Sequence, residues 1–512
     1  MKPLDTEEHV ISSSLRFSTL ATLFALLTLP AAAQEKPQKV EINWDKTVIV
    51  SKSTATLQVV TNPMLNPGAP IHDGSFSALK ALGADYVRYV PWLPYPKIAV
   101  AELDPPTKDK TSWDFTYIDP VTKDFLAATE GHSTIINFST IPAWMFKTDK
   151  PVKYPDDPNQ VFWKYTQGTE LRDPTGKELG DYFGRLVSWF TKGGFTDENG
   201  KRHESGYHYT FPMWEVLNEI EAEHKTTPED YTKRYDAIVE GIRKVSPNTQ
   251  FMGLALAAPG ANPKYFEYFL NPKNHKPGIP LDYISFHFYA SPARDENLDG
   301  WQHTFFNQAN GFLATTRYIL AIRDRLSPNT KVDTDELGVI LPTDNTPEDK
   351  VPPPARYWNA AGALYGFLFV ELSRLGVDVI GESQLVGYPT QYPSVSMIDY
   401  TNGKPNARYW VLKLIKDNFH PGDKLVAEKD KPEDDDSHSD VTVQGFITPQ
   451  GKKVLLVNRT NSEKTVVLAQ DLQNASTLTV DEETGDEAPR AGKPDQTNLR
   501  LAPFAVTVLS VQ

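Results

Sequence analysis

Between residues 56 and 386, short apolar runs alternate with longer stretches of helical periodicity, and the alternation recurs eight times. The runs fall at 56–60, 84–92, 133–140, 211–219, 251–257, 281–289, 331–340 and 377–386. They are rich in branched and aromatic residues, as strands covered on both faces require. The stretches between them, such as 228–245 and 355–375, space apolar residues three and four apart and are long enough for helices. Strand followed by helix, eight times over, predicts an α/β fold, a parallel sheet closed into a (β/α)8 barrel. A doubly wound open sheet is the competing arrangement, but no run is followed by a glycine-rich phosphate loop.

From residue 424 the texture changes. Short alternating strands at 441–448, 453–458, 465–468, 477–480 and 499–511 are separated by turn residues such as Pro449-Gln450-Gly451, with no helical stretch among them. This predicts a C-terminal antiparallel β-sandwich, residues 424–512, after a barrel over 55–423. Residues 34–54 form an N-terminal segment with room for a strand or two, a candidate edge of the β module. Residues 1–33 read as a secretory signal: Arg16 precedes an apolar run at 17–29, and Ala31-Ala32-Ala33 offers a cleavage site. The run is shorter than the ~20 residues that span a bilayer. A second apolar run, 360–370, lies between Arg356 and Glu371 and reads as a buried helix. The expected location is secreted or periplasmic, off the membrane once the signal is cleaved.

Composition removes several classes. A net charge of -14 is wrong for binding nucleic acid, whose phosphates need a basic surface. With 0 Cys there is no disulfide, thiolate nucleophile or Cys-ligated metal. No His/Asp/Glu spacing resembles a metal site, so neither metal nor cofactor is expected. Oligomeric state is not legible.

The chemistry concentrates at strand ends. The run 211–219 closes on Asn218-Glu219, and with period two Glu215, Leu217 and Glu219 face one way while Trp214, Val216 and Asn218 face the other. A second carboxylate, Glu336, ends the seventh run, sharing a face with Val332 and Thr334. In a closed barrel, strands four and seven bring Glu219 and Glu336 to the same mouth. Opposed carboxyls, one protonated and one ionised, are the equipment of glycoside hydrolysis. Arg88, a charge inside an apolar run, should be paired, with Glu336 its expected partner. Glu219 is expected to have no cation beside it, and Glu215 to be an interior structural acid. Asn218, His287, Tyr289 and Glu382 are candidate sugar or carboxylate contacts, with Gln384 beside Glu382. Trp92, Trp144 and Trp301 follow strands and are candidates for stacking on a sugar ring.

Trp214-Glu215-Val216-Leu217-Asn218-Glu219, Phe286-His287-Phe288-Tyr289 and Glu336-Leu337-Gly338 together resemble the retaining glycoside hydrolases of clan A. Residues 113–119 (Trp-Asp-Phe-Thr-Tyr-Ile-Asp) and 138–144 (Phe-Ser-Thr-Ile-Pro-Ala-Trp) resemble, more narrowly, family 39, which includes β-xylosidases and α-iduronidases. The likeness covers roughly residues 55–420. It implies that Glu219 is the acid/base and Glu336 the nucleophile. It implies a secreted exo-enzyme of β-xylosidase type acting on oligosaccharides or polysaccharides of plant or microbial origin. α-L-Arabinofuranosidase and β-galactosidase activities compete on this scaffold, and a non-catalytic carbohydrate-binding protein is the alternative of another class. Two positions depart from the pattern: Glu382-Ser383-Gln384 stands where many clan members have a Trp, and Asp335 stands where Thr is usual.

Overall fold

The computed structural model describes residues 37–162, 168–344, 352–387, 392–429 and 439–511. The signal expected at 1–33, and most of the acidic stretch at 430–440, lie outside the described residues. No described helix is long and apolar enough to cross a membrane.

Eight parallel strands close into a barrel. They are β1 (Thr54–Val60), β2 (Val87–Val90), β3 (Thr134–Ile136), β4 (Met213–Glu215), β5 (Gln250–Leu256), β6 (Tyr283–Ala290), β7 (Lys331–Val339) and β8 (Val379–Glu382). Each pairs with the next, and β8 closes on β1 through Val379–Glu382 against Thr54–Leu57. The strands are buried almost throughout, which is why they read as continuous apolar runs. Helices follow from local chemistry. Pro228–Arg243 starts where the Thr227 side chain accepts from the Asp230 amide, with Pro at the first helical position. It packs on Lys177–Thr191 so closely that a Cβ on Gly241 would meet the Gly180 carbonyl oxygen at 1.9 Å. That contact locks the helices before and after β4.

Two local irregularities correct the period-two reading. On β7, Ser285 pairs with Asp333 but His287 pairs with Glu336, so one extra residue is accommodated between them. This bulge lets Asp335 and Glu336, adjacent in sequence, both reach Arg88, which strict alternation forbids. After β4, Leu217 (φ 66°) and Glu219 (φ 40°) are left-handed. The strand therefore stops at Glu215 rather than at 219, and Asn218 turns to the same mouth as Glu219 instead of away from it.

The β module comprises two sheets. Seven strands run in the order Arg490–Gly492, Ser476–Val480, Val506–Ser510, Gly451–Asn458, Val441–Thr448, Lys424–Glu428 and Ile42–Val50. Three more, Gln38–Val40, Lys464–Leu468 and Asn498–Leu501, form the second sheet. Val40, Val443, Leu456, Val466, Leu468 and Leu501 are among the core residues of the module. The other face of the larger sheet, with Phe446, Val457 and Val506, shares the barrel's core together with residues of helices Ala355–Arg374 and Ala407–Asn418.

Candidate active site

The barrel mouth is organised by a buried cation. Arg88 on β2 is 1% exposed and donates through all three of its guanidinium nitrogens. Nη1 reaches Glu336 Oε1 at 2.5 Å and Gln58 Oε1 at 2.6 Å; Nη2 reaches Asn218 Oδ1 at 2.7 Å. Nε bonds Glu215 and lies 3.0 Å from Asp335 Oδ2. A guanidinium with five N–H donors in a fixed fork suits such a hub. Glu215 is fully buried, and Asn137 and Ser285 also donate to it.

Around this hub the acids separate into two protonation classes. Burial works against ionising Glu336, but His287, Arg88 and the Tyr289 hydroxyl outweigh it and hold the carboxyl below its usual range. Glu215 is lowered too, with Arg88 prevailing over burial. Asp333 and Asp335 are pushed well upward by burial and by the charge of Glu215. These opposed shifts favour two carboxylates and two neutral acids around Arg88, which limits the charge left uncompensated in the interior.

Tyr289 Oη lies 2.7 Å from Glu336 Oε2 and 2.6 Å from Ser383 Oγ. The phenol has one proton. Once that is given to Glu336, the Ser383 hydroxyl donates to Tyr289 and accepts from Gln58 Nε2 at 2.8 Å. Gln58 is oriented in turn, because its oxygen must face Arg88.

Glu219 and Glu336 meet across the mouth. One carboxylate oxygen of each and one ring nitrogen of His287 lie within 4.8 Å of one another. His287 Nδ1 is 3.1 Å from Glu219 Oε1 and 3.5 Å from Glu336 Oε2, and Nε2 faces Asp335 Oδ1 at 3.6 Å. Burial disfavours charge on this ring, but Glu336 and Glu219 prevail and its pKa is raised. Glu219 therefore has a titratable base beside it that the sequence expectation did not include, and the register on β7 pairs that base, His287, with Glu336. These three donors are close enough to hold a metal ion. Both Glu336 oxygens already accept strong hydrogen bonds, and a guanidinium stands beside them, so the set is better suited to proton chemistry than to a second cation.

A pocket of about 120 Å³ opens above the pair. Its polar lining is Gln58, Asn218, Glu219, Tyr289, Glu336 and Gln384; Val60, Val90, Trp92, Ile340, Tyr392 and Val395 supply apolar wall. Two sequence candidates are corrected by their surroundings. Glu382 is 1% exposed and bonds Arg408 Nε at 2.9 Å; it does not line the pocket, and burial raises its pKa to about 7 against the pull of Arg408. The pocket residue from that segment is Gln384. Trp144 does not line the pocket either: its indole donates to the Glu102 carbonyl at 2.8 Å and its ring is covered by Arg172 at 4.4 Å. Trp301 packs on Phe305 and Tyr357. Trp92 alone of the three reaches the site.

Two contributors were not foreseen. Gln58 looks like an ordinary polar residue on an apolar strand, and that interruption was its only signal. Glu223 lies among Glu219, Glu221 and Glu229, in an acidic, loop-like stretch of sequence after the fourth run. It is held instead in a short helix, Ile220–Glu223, where Trp92 Nε1 and Asn218 Nδ2 both donate to Oε1.

Residues 28–310 match the profile described as glycosyl hydrolases family 39, and residues 439–509 match that of the C-terminal immunoglobulin-like domain of D-apionate lactonase. No curated protein matches. Among solved structures, the chain is similar to AbfB, a family 51 α-L-arabinofuranosidase from Bifidobacterium longum, with TM-score 0.61, 13% identity and coverage of 93% of this chain and 100% of that one. It is also similar to a GH30 endoxylanase from Clostridium papyrosolvens C71, with TM-score 0.54, 12% identity and the same coverage. An α-L-arabinofuranosidase from Thermotoga maritima aligns with TM-score 0.58, 14% identity and coverage of 92% and 99%. At these identities the structural likeness speaks to the fold alone.

Proposed function

The chain belongs to glycosyl hydrolase family 39 and is a glycoside hydrolase of the clan A type; from that premise we propose a retaining enzyme with Glu336 as nucleophile and Glu219 as acid/base. The observation that carries this is the approach of the two carboxylates to within 4.8 Å. That matches the ~5 Å of a double displacement and leaves no room for the water an inverting pair needs. Glu336, kept ionised by His287, Arg88 and Tyr289, attacks the anomeric carbon. Glu219 gives its proton to the departing glycosidic oxygen, then takes one from the water that releases the sugar. The substrate is an oligosaccharide or polysaccharide chain.

The finer reading is a β-xylosidase-like exo-enzyme. A small pocket with Val60, Val90, Ile340 and Val395 in its wall supports a single terminal ring with little polar substitution on that side. α-L-Arabinofuranosidase and β-galactosidase activities are the competing outcomes. A panel of aryl xylosides, arabinofuranosides, galactosides, glucosides and uronides separates them. NMR of the first-formed sugar should show the substrate's own anomeric configuration; the opposite anomer rejects retention. The leader-like run at residues 17–29 supports export. Finding the N-terminus of the mature protein near residue 34 in the periplasm or medium tests it.

A further inference from the structure

We infer that Glu223 is a positioning residue, which fixes Trp92 and Asn218 as one wall of the sugar pocket beside Glu219. The inference rests on the reading of the site as a glycosidase centre. Trp92 and Asn218 both line the pocket, and they come from different parts of the barrel, the loop after β2 and the loop after β4. Glu223 ties them together: Oε1 accepts from the Trp92 indole at 2.5 Å and from Asn218 Nδ2 at 3.0 Å.

Asn218 has its orientation fixed from both ends. Arg88 only donates, so the amide oxygen must face it, and the amide nitrogen is thereby committed to Glu223. Trp92 has a single polar atom, and that atom is on Glu223. The wall is therefore hung from one carboxyl oxygen.

The form in which Glu223 does this follows from its surroundings. It is five residues past Asn218 and four past Glu219, at the end of the helical turn Ile220–Glu223, and its Oε2 is buried without a hydrogen-bond partner. Burial and the nearby charges of Glu219 and Glu336 push its pKa well upward. A neutral acid there holds both donors through its carbonyl oxygen without adding another negative charge beside Glu219.

The test compares Glu223→Gln with Glu223→Leu in the full chain. Glutamine keeps a carbonyl oxygen at the same reach; leucine keeps the bulk and removes the acceptor. The first readout needs no substrate: the indole N–H resonance of Trp92 in 15N-tryptophan-labelled protein, identified by its loss in Trp92→Phe. It should move in Glu223→Leu and stay in Glu223→Gln. On the best aryl glycoside, Glu223→Leu should lose about tenfold or more in kcat/KM, chiefly through KM. Glu223→Gln should stay within about threefold of wild type, with the same pH profile. An unmoved resonance in Glu223→Leu overturns the inference, as does unchanged KM. Equal damage from Glu223→Gln also overturns it, because the charged form would then be needed. A wild type inactive on every glycoside, with the resonances behaving as stated, instead overturns the glycosidase reading.

Discussion

Arg88 Nη1 is bonded to Glu336 Oε1, and the same guanidinium also holds Glu215 and Asn218, so one side chain ties the proposed nucleophile to the loop that carries Glu219. Removing it leaves Glu215 and Glu336 buried together without their cation. Arg88→Met should cost about 3–5 kcal/mol of stability, as breaking a buried ion pair does. It should also raise the acidic limb of kcat/KM, because Glu336 loses a source of its lowered pKa. Urea unfolding and a pH–rate profile measure the two. A melting temperature within a degree or two of wild type would refute the hub.

Glu336→Ala should abolish glycosylation, and azide or formate should restore turnover of activated aryl glycosides by standing in for the carboxylate. Glu219→Ala should behave differently. With a good leaving group that needs no proton, the first step should survive; with a poor one it should fall by about 10²–10⁴. Equal losses on both substrates would mean that Glu219 is not the acid.

Tyr289→Phe removes the hydroxyl that donates to Glu336 and joins it to Ser383. The fold has no other use for that proton, so stability should change by no more than about 1–3 kcal/mol, the cost of one buried hydrogen bond. Activity should fall by more than tenfold, with the acidic limb moved upward. A profile superimposable on wild type would show that Arg88 and His287 suffice.

The segment after β8 gives a sharper separation, since Glu382 and Gln384 are two residues apart with different tasks. Glu382→Gln weakens a buried ion pair with Arg408, and should lower the melting temperature while leaving KM of the folded enzyme unchanged. Gln384→Ala should do the reverse. If Glu382→Gln raises KM at full stability, Glu382 contacts sugar after all.

The barrel was legible because strands covered on both faces must be apolar, and helices between them must be amphipathic. The meeting of Glu219 and Glu336 was legible for a related reason: carboxylates near the C-terminal ends of the fourth and seventh strands of a closed barrel come to one mouth. Which way their neighbours point was not legible. The period-two rule failed at Leu217, whose left-handed backbone turns Asn218 into the mouth, and at the β7 bulge, which sets Asp335 against Arg88. Both are backbone irregularities without a local sequence signal. Trp144 and Glu382 were misjudged for the opposite reason. Their residue types suit sugar, but Arg172 and Arg408, distant in sequence, already occupy them.

His287 and Glu336 together set where the pH window lies. The folded pKa of His287 is raised above 6.5, so its stabilising contribution is fully present below about pH 6.5 and is lost as pH rises through the raised value. The folded pKa of Glu336 is depressed below 4.5, so its contribution is present above about pH 4.5 and is lost as pH falls through the depressed value. Both operate between about pH 4.5 and 6.5, and that interval should contain the stability maximum of this pair. His287→Asn keeps a polar side chain of similar reach but cannot carry charge. Its melting temperature should trail wild type most within that interval, and the gap should narrow as pH rises through the raised pKa of His287. A gap that is constant with pH would assign the loss to packing. A gap that widens with pH would mean that the ring is neutral in the folded protein, and that the attraction of Glu336 and Glu219 does not overcome its burial.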